Sequence, residues 1–485
     1  MIQDTAESPL ALKQERAAPR PSKSARERLV ALFNRLTPTE RQKLWALTII
    51  AGGLCGLAAV AFHQSITHIE AVVIGRALHA AGKSWIYWTI LTPTLGGLIV
   101  GLGLHFWVPG AVGSGIPQVK YAYATQSGRV PFRDAVGKFV LSSIQIGSGA
   151  SLGREGPTVQ ICGGISSMLS RVFGLSRQSH RRMLPVGVAA GIAAAFNAPI
   201  AAVTFTVEEV IGDLDQTMLS GVIVAAALAA AVERSILGQH PVFQISKVYG
   251  LDHVSSLLLY AVLGVFSAFA SVIFTDSLLS FRGWFKRFAM VPKWAHPAIG
   301  GALTGSLAVL ALLFFRSGGI TGGGYDVLST ALAGELTVKV LLGLGILKIL
   351  ATVSSYSSGG CGGIFAPALF IGGMLGGTVG YVDVIVFHHS MDSVGAFALV
   401  GMGAVFAGII RAPITSVLII FEMTGSYGLI LPLMIANMSA FALARHWRHL
   451  SIYEALLLQD GVVLPHGKPV TTTMDVPERP GEVPP

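Results

Sequence analysis

The stretch from Met183 to Val207, MLPVGVAAGIAAAFNAPIAAVTFTV, contains no Asp, Glu, Lys or Arg and ends on Glu208-Glu209. At about 1.5 Å per helical residue it is long enough to cross a hydrocarbon core of ~30 Å. Yet Asn197-Ala198-Pro199 breaks it. Broken helices survive at membrane depth only where they are buried in protein or line an aqueous path. The same stretch also repeats. Val186-Gly187, Ala190, Ala193 and Ala198-Pro199-Ile200 recur 214 residues later as Val400-Gly401, Ala404, Ala407 and Ala412-Pro413-Ile414. Nine residues after each Pro stands a carboxylate, Glu208 or Glu422. Upstream, Pro157, Ile161 and Gly163 match Pro367, Ile371 and Gly373 at an offset of 210. Two halves therefore meet near residues 235–250. Paired, interrupted apolar segments in two halves point to a transporter with its site at the repeat interface.

Composition agrees. Of 485 residues, 52% are hydrophobic and 12% charged, against about 25% charged in a soluble protein. Too little charge remains to cover a soluble surface, which argues against a cytosolic enzyme and a nucleic-acid binder. The net charge of +9 fits basic residues gathered on the cytoplasmic side of a membrane. The cysteines, Cys55, Cys162 and Cys361, are odd in number and lack metal-ligand spacing, so neither a disulfide framework nor a metal site is expected.

Residues 1–43 read as a polar cytoplasmic tail with a surface helix over 25–36, and 44–62 as the first span. Ser84–Val119 and Ile349–Val382 are further runs free of charge, broken by Gly and Pro clusters: PTLGG, GSGIP, SSGGCGG and FAP. Further spans are expected near 216–232, 253–275, 294–315, 337–354, 393–410 and 423–444. The transmembrane domain then covers 44–460, in halves of about 44–240 and 250–460. A polar, Pro-rich tail follows over 461–485.

Three motifs carry the chemistry: Gly113-Ser114-Gly115-Ile116-Pro117, Gly153-Arg154-Glu155-Gly156-Pro157 and Gly362-Gly363-Ile364-Phe365-Ala366-Pro367. In each a Gly-rich turn leads into a Pro, which suits the first turn of a helix. A helix start exposes unpaired N–H groups and the positive end of the dipole. Several aimed at one point bind an anion without a full positive charge, so the anion can also leave. Glu155 is an acidic residue in an otherwise apolar setting, which is costly unless it is protonated or sits where an anion would sit. A carboxylate there plugs the anion site until an anion displaces it, and displacement invites a proton. Glu208 and Glu209 are adjacent, so only one of them can face a pathway. Lys138 either tunes the local potential or snorkels to the interface.

These motifs, with Ala-Pro-Ile before Glu208-Glu209 and a late Ile452-Tyr453-Glu454, resemble the CLC family of chloride channels and chloride/proton antiporters, in its prokaryotic form without C-terminal regulatory domains. The resemblance covers about residues 40 to 460, with the motifs in the family's order. It implies an all-α integral membrane protein of two inverted-topology halves with many short, tilted and broken helices. It also implies a homodimer in the bilayer of a bacterial inner membrane, with one anion pathway per subunit and a cytoplasmic N-terminus. No cofactor, nucleotide or nucleic acid is expected; the transported ions are chloride and protons.

By the same resemblance, Ser114 and Tyr453 match the hydroxyls on the inner side of the anion site. Ile364 and Phe365 match the positions whose backbone N–H groups face the anion. Glu155 matches the gating glutamate, and Glu209 the inner glutamate that relays protons in antiporters. Gln118 departs from the family's frequent Glu after GSGIP. Channel members commonly lack an acid at the Glu209 position, so its presence favours an antiporter over a passive chloride channel. Ser114 favours chloride over nitrate, and GREGP with Tyr453 argues against the fluoride branch. Enzymatic alternatives fare poorly. Ser114 and Ser151 have no His partner in an apolar span, and the P-loop-like Gly82-Lys83-Ser84 has Ala77 where the first Gly belongs.

Overall fold

The computed structural model describes residues 25–78, 82–212, 216–238, 243, 249–251 and 253–464. Among them the chain is helical, and strand pairing is limited to two isolated bridges, Gly113 with Cys361 and Gly153 with Gly363. Nine of the described helices are long and apolar enough to cross a membrane. Glu40–Leu78 has 39 residues and Ser256–Arg287 has 32, well beyond the ~20 a perpendicular span needs, so they tilt or project. Others are short: Pro199–Phe205, Tyr325–Leu332 and Ile452–Gln459.

The repeat is structural. In the first half Glu155–Val172 packs on Arg177–Phe196, which ends at Asn197 in the left-handed region (φ 52°) before Pro199–Phe205 begins. In the second half Phe365–Phe387 packs on Asp392–Ile410, which ends at Arg411 (φ 73°) before Pro413–Thr424. The two paired carboxylates tie the halves together by reciprocal helix capping. Glu208 accepts from the N–H groups of Ile414 (3.2 Å) and Thr415 (2.8 Å). Glu422 accepts from those of Ile200 (3.1 Å) and Ala201 (2.7 Å). Each satisfies donors that a helix start leaves orphaned, and each sits at the positive end of a dipole. The junction between the halves lies largely outside the described residues.

Two expectations need correction. PTLGG is not a break: Pro93, Gly96 and Gly97 lie inside the continuous helix Ser84–Phe106. Its glycines serve packing, because that helix crosses His296–Phe315 with backbone nearly touching backbone. A Cβ at Gly305 would lie 2.6 Å from the Ile90 Cα and 2.7 Å from the Thr89 carbonyl oxygen. The last span also shifts, since Pro413–Thr424 ends at Gly425 (φ 69°) and the chain resumes as Ile430–Trp447.

The helix expected over 25–36 forms as Ala25–Leu36, and its Phe33 ring packs on Phe173 at 4.4 Å. The helix holding the first expected span starts at Glu40, whose carboxylate accepts from the Ser176 N–H (3.0 Å). Residues 1–24 and 465–485 lie outside the described part, so most of both expected tails does too.

Candidate anion site and its two carboxylates

The three Gly/Pro loops meet. Gly153 and Gly363 exchange both backbone hydrogen bonds at 2.7 Å. Gly113 donates to the Gly360 carbonyl (2.9 Å) and accepts from the Gly362 N–H (3.1 Å). Gly113 and Gly115 adopt φ of 76° and 99°, which favour glycine because it lacks a Cβ. At Gly156 a Cβ would come within 2.5 Å of the Ser114 Oγ, so that glycine permits the loops to close together. From this knot start Ile116–Thr125, Glu155–Val172 and Phe365–Phe387, each with its Pro in the first turn. Their unpaired N–H groups and positive dipole ends therefore gather at one locus.

The side chains there suit an anion. Ser114 and Tyr453 are fully buried, and neither hydroxyl has a hydrogen-bond partner among the described residues. Buried hydroxyls are normally paired, so these two are candidate donors to a ligand. Ile364 caps the Phe365–Phe387 helix. The Phe365 ring points away into a cluster with Phe406 (4.3 Å), Phe196 (4.7 Å) and Phe205 (5.9 Å).

Glu155, the first residue of its helix, is fully buried. One carboxylate oxygen accepts from the Tyr325 hydroxyl, and the other has no partner among the described residues. The adjacent Arg154 turns elsewhere, to His63 and the Ala195 carbonyl, and stacks over the Tyr325 ring at 5.6 Å. A cavity of about 430 Å³ opens on this side, lined in part by His63, Glu70, Arg154, Tyr325 and Asp326.

Glu209 stands apart from this group. It lies in a π turn, Thr206–Ile211, buried to 4% exposure. The wider turn sends the neighbouring acids different ways: Glu208 to the Pro413 helix, Glu209 to Lys120 Nζ at 2.9 Å. Lys120 also reaches Glu454 at 3.3 Å, one residue beyond Tyr453. The structure therefore brings together the loops that carry Ser114, Glu155, Ile364 and Phe365, while Glu209 pairs with Lys120 and is not among the residues that line the cavity.

Lys138 does not snorkel. It is fully buried, and its Nζ donates to the carbonyls of Ala111 (2.9 Å) and Gly113. It thereby pins the GSGIP loop from behind. Gln118 braces the same loop: its Oε1 accepts from the Gly115 N–H (3.0 Å) and its Nε2 donates to the Val112 carbonyl (2.9 Å). The sequence reading missed Lys120, Tyr325, His63 and Lys348. Only Lys120 carried a signal, as a cation one helical turn past the GSGIP loop.

The Voltage gated chloride channel family model matches residues 96–445. The H(+)/Cl(-) exchange transporter ClcA of Salmonella arizonae is 33% identical over 436 residues, covering 88% of this chain and 91% of the relative. Among solved structures, a slow cyanobacterial Cl−/H+ antiporter aligns with a TM-score of 0.78 at 25% identity, over 86% of this chain and 98% of its own. A eukaryotic CLC transporter shares the fold at a TM-score of 0.73 and 22% identity, over 88% of this chain and 75% of its own. With its three Gly/Pro loops joined into one knot, and with a family match over most of its length, the chain belongs to the voltage-gated chloride channel (CLC) family.

Proposed function

We propose that this protein is a chloride/proton antiporter. The observation that carries the proposal is a pair of buried hydroxyls, Ser114 and Tyr453, with no hydrogen-bond partner among the described residues, in a fold that also buries two carboxylates, Glu155 and Glu209. Chloride occupies the locus of the hydroxyls and helix N-termini. Glu155 competes with chloride for that locus as an anion and withdraws when protonated. Glu209 collects protons from the opposite side and passes them toward Glu155. The names of the relatives, H(+)/Cl(-) exchange transporters, support the same reaction. The work is transport rather than catalysis of a chemical conversion.

Sidedness follows from charge. The Ala25–Leu36 helix, with Phe33 on Phe173, and Glu40 on Ser176 hold the N-terminal segment against the turn between Glu155–Val172 and Arg177–Phe196, which Arg171, Arg177, Arg181 and Arg182 make basic. Arg177 and Arg181, in the first turns of Arg177–Phe196, reach Ser127 (2.8 Å) and the Tyr123 ring (4.5 Å), at the opposite end of the Ile116–Thr125 helix from the GSGIP knot. Basic segments gather in the cytoplasm, so we assign the Glu209 side to the cytoplasm and the cavity beside Glu155 to the outside. The unit we propose is a homodimer in a bacterial inner membrane, with one pathway per subunit. Exposed apolar residues around the reciprocal caps, Ile200 and Ile414 with Leu431, Met434 and Met438, offer a face for the second copy.

The test is a pair of variants in liposomes. Glu155→Gln should pass chloride without moving protons or responding to pH. Glu209→Gln should stop protons yet keep more pH dependence in its chloride flux, because Glu155 still plugs the site. Normal proton-coupled exchange in either variant contradicts the assignment.

A further inference from the structure

Glu155 can plug the site only if something holds its charged form there, and the helix N-termini cannot do this selectively, because they attract chloride equally. Tyr325 is placed to do so. It is the first residue of Tyr325–Leu332, and its hydroxyl donates to the Glu155 carboxylate. Its ring lies between the Arg154 guanidinium at 5.6 Å and Phe243 at 5.8 Å, which limits its movement.

The loop that delivers Tyr325 is fixed from below. Lys348, fully buried on Val338–Ser357, donates to the carbonyls of Ile320 (3.0 Å), Gly322 (2.8 Å) and Gly319 (3.4 Å). The Gly322 N–H reaches the Ala150 carbonyl at 3.0 Å. Gly324, at φ 75°, makes the final turn into the helix. A buried ammonium spent on three carbonyls of one loop is a costly device, and its effect is to hold the Tyr325 backbone at a set distance from Glu155.

We propose that the Tyr325 hydroxyl is a latch that holds Glu155 in its plugging position, making Tyr325 a positioning residue of the gate. This inference rests on Glu155 being the gate. The latch distinguishes charge states. A phenol donating to a carboxylate makes a charge-assisted bond, roughly twice as strong as one to a neutral group. Once Glu155 is protonated that advantage is gone, and the carboxyl leaves without breaking a strong contact. Chloride gains nothing from the latch, so the Tyr325 hydroxyl biases the competition between carboxylate and chloride toward the carboxylate.

The experiment is a double-mutant cycle on purified protein, with chloride binding read by calorimetry and proton-to-chloride ratio read in liposomes. Tyr325→Phe keeps the ring and removes the donor. It should tighten apparent chloride binding on the order of tenfold, the worth of one such bond. A merely damaged site would bind more weakly, so the direction itself is diagnostic. Tyr325→Leu should tighten binding too, and covers the case in which the Phe variant folds poorly. In a Glu155→Gln background, Tyr325→Phe should have a clearly smaller effect, because only a neutral acceptor remains to hold. Unchanged or weaker chloride binding in both Tyr325 variants overturns the latch while Glu155→Gln still uncouples protons. The same tightening in the Glu155→Gln background also overturns it. A Glu155→Gln protein that still pumps protons removes the gate reading itself, and the latch with it.

Discussion

Removing the Ser114 and Tyr453 hydroxyls should weaken chloride binding and, without chloride, stabilise the fold. The two effects have opposite signs because the hydroxyls are fully buried and have no partner among the described residues. An unmatched buried hydroxyl costs about 1–3 kcal/mol. Deleting it in Ser114→Ala or Tyr453→Phe returns up to that amount, with no cavity larger than one oxygen. With chloride present the same deletion forfeits a hydrogen bond to a charged partner, about 1.5–3 kcal/mol. That is a loss of roughly tenfold to over a hundredfold in affinity per hydroxyl, since 1.4 kcal/mol is about a factor of ten. Thermal unfolding in detergent, run with chloride and with a large impermeant anion in its place, reads both quantities. Wild type should gain stability with chloride by mass action. The double variant should begin higher without chloride and gain little from it. A double variant that is less stable without chloride, yet keeps its chloride-induced stabilisation, would show that the hydroxyls serve the fold and that the anion binds elsewhere.

Three further outcomes follow from the geometry. Lys120→Met leaves Glu209 buried without its cation, and breaking a buried pair costs about 3–5 kcal/mol, less here because Lys120 is 15% exposed. Proton flux should fall at least tenfold while calorimetric chloride affinity stays within twofold of wild type. Glu208→Gln and Glu422→Gln each weaken a cap on the opposite half. Each should lower stability by about 1 kcal/mol, with the larger effect at Glu208, which also accepts from the Thr415 hydroxyl (2.6 Å), read as the chloride-free unfolding midpoint. Gly305→Ala drives a Cβ onto the Ile90 backbone and should cost about 1–3 kcal/mol or more by overpacking, whereas alanine at Gly53, which has open space around it, should be neutral or slightly stabilising in its helix.

Much of the site was legible because it is made of short motifs whose meaning is local. A Gly-rich turn followed by a Pro marks a helix start whatever lies around it, and the 214-residue repeat shows which starts belong together. Even the capping carboxylates were visible as a periodic feature, Glu208 and Glu422 nine residues past each Pro. Long-range pairing was not visible. Lys120 meets Glu209 across 89 positions and Glu454 across 334, and nothing in the surrounding composition marks those partners. Tyr325 depends on a loop whose path is set by Lys348, a residue on another helix. PTLGG misled because glycine serves two ends, breaking helices in some places and letting helices touch in others. The choice between them belongs to the neighbouring helix, His296–Phe315, not to the motif. Lys138 misled for a related reason: its acceptors are backbone carbonyls of the GSGIP turn, and a carbonyl made available by a turn leaves no mark in the residue pattern.

The central claim is that one site couples two ions, and its most direct measurement is proton movement in liposomes of purified wild-type protein. The vesicles carry a chloride gradient, no pH gradient, and a clamped membrane potential. The account predicts that chloride running down its gradient drives protons the opposite way, against the pH difference that develops, and that the movement disappears in Glu209→Gln. Chloride flux with no accompanying proton movement in wild type would contradict the account and make this protein a passive chloride pathway.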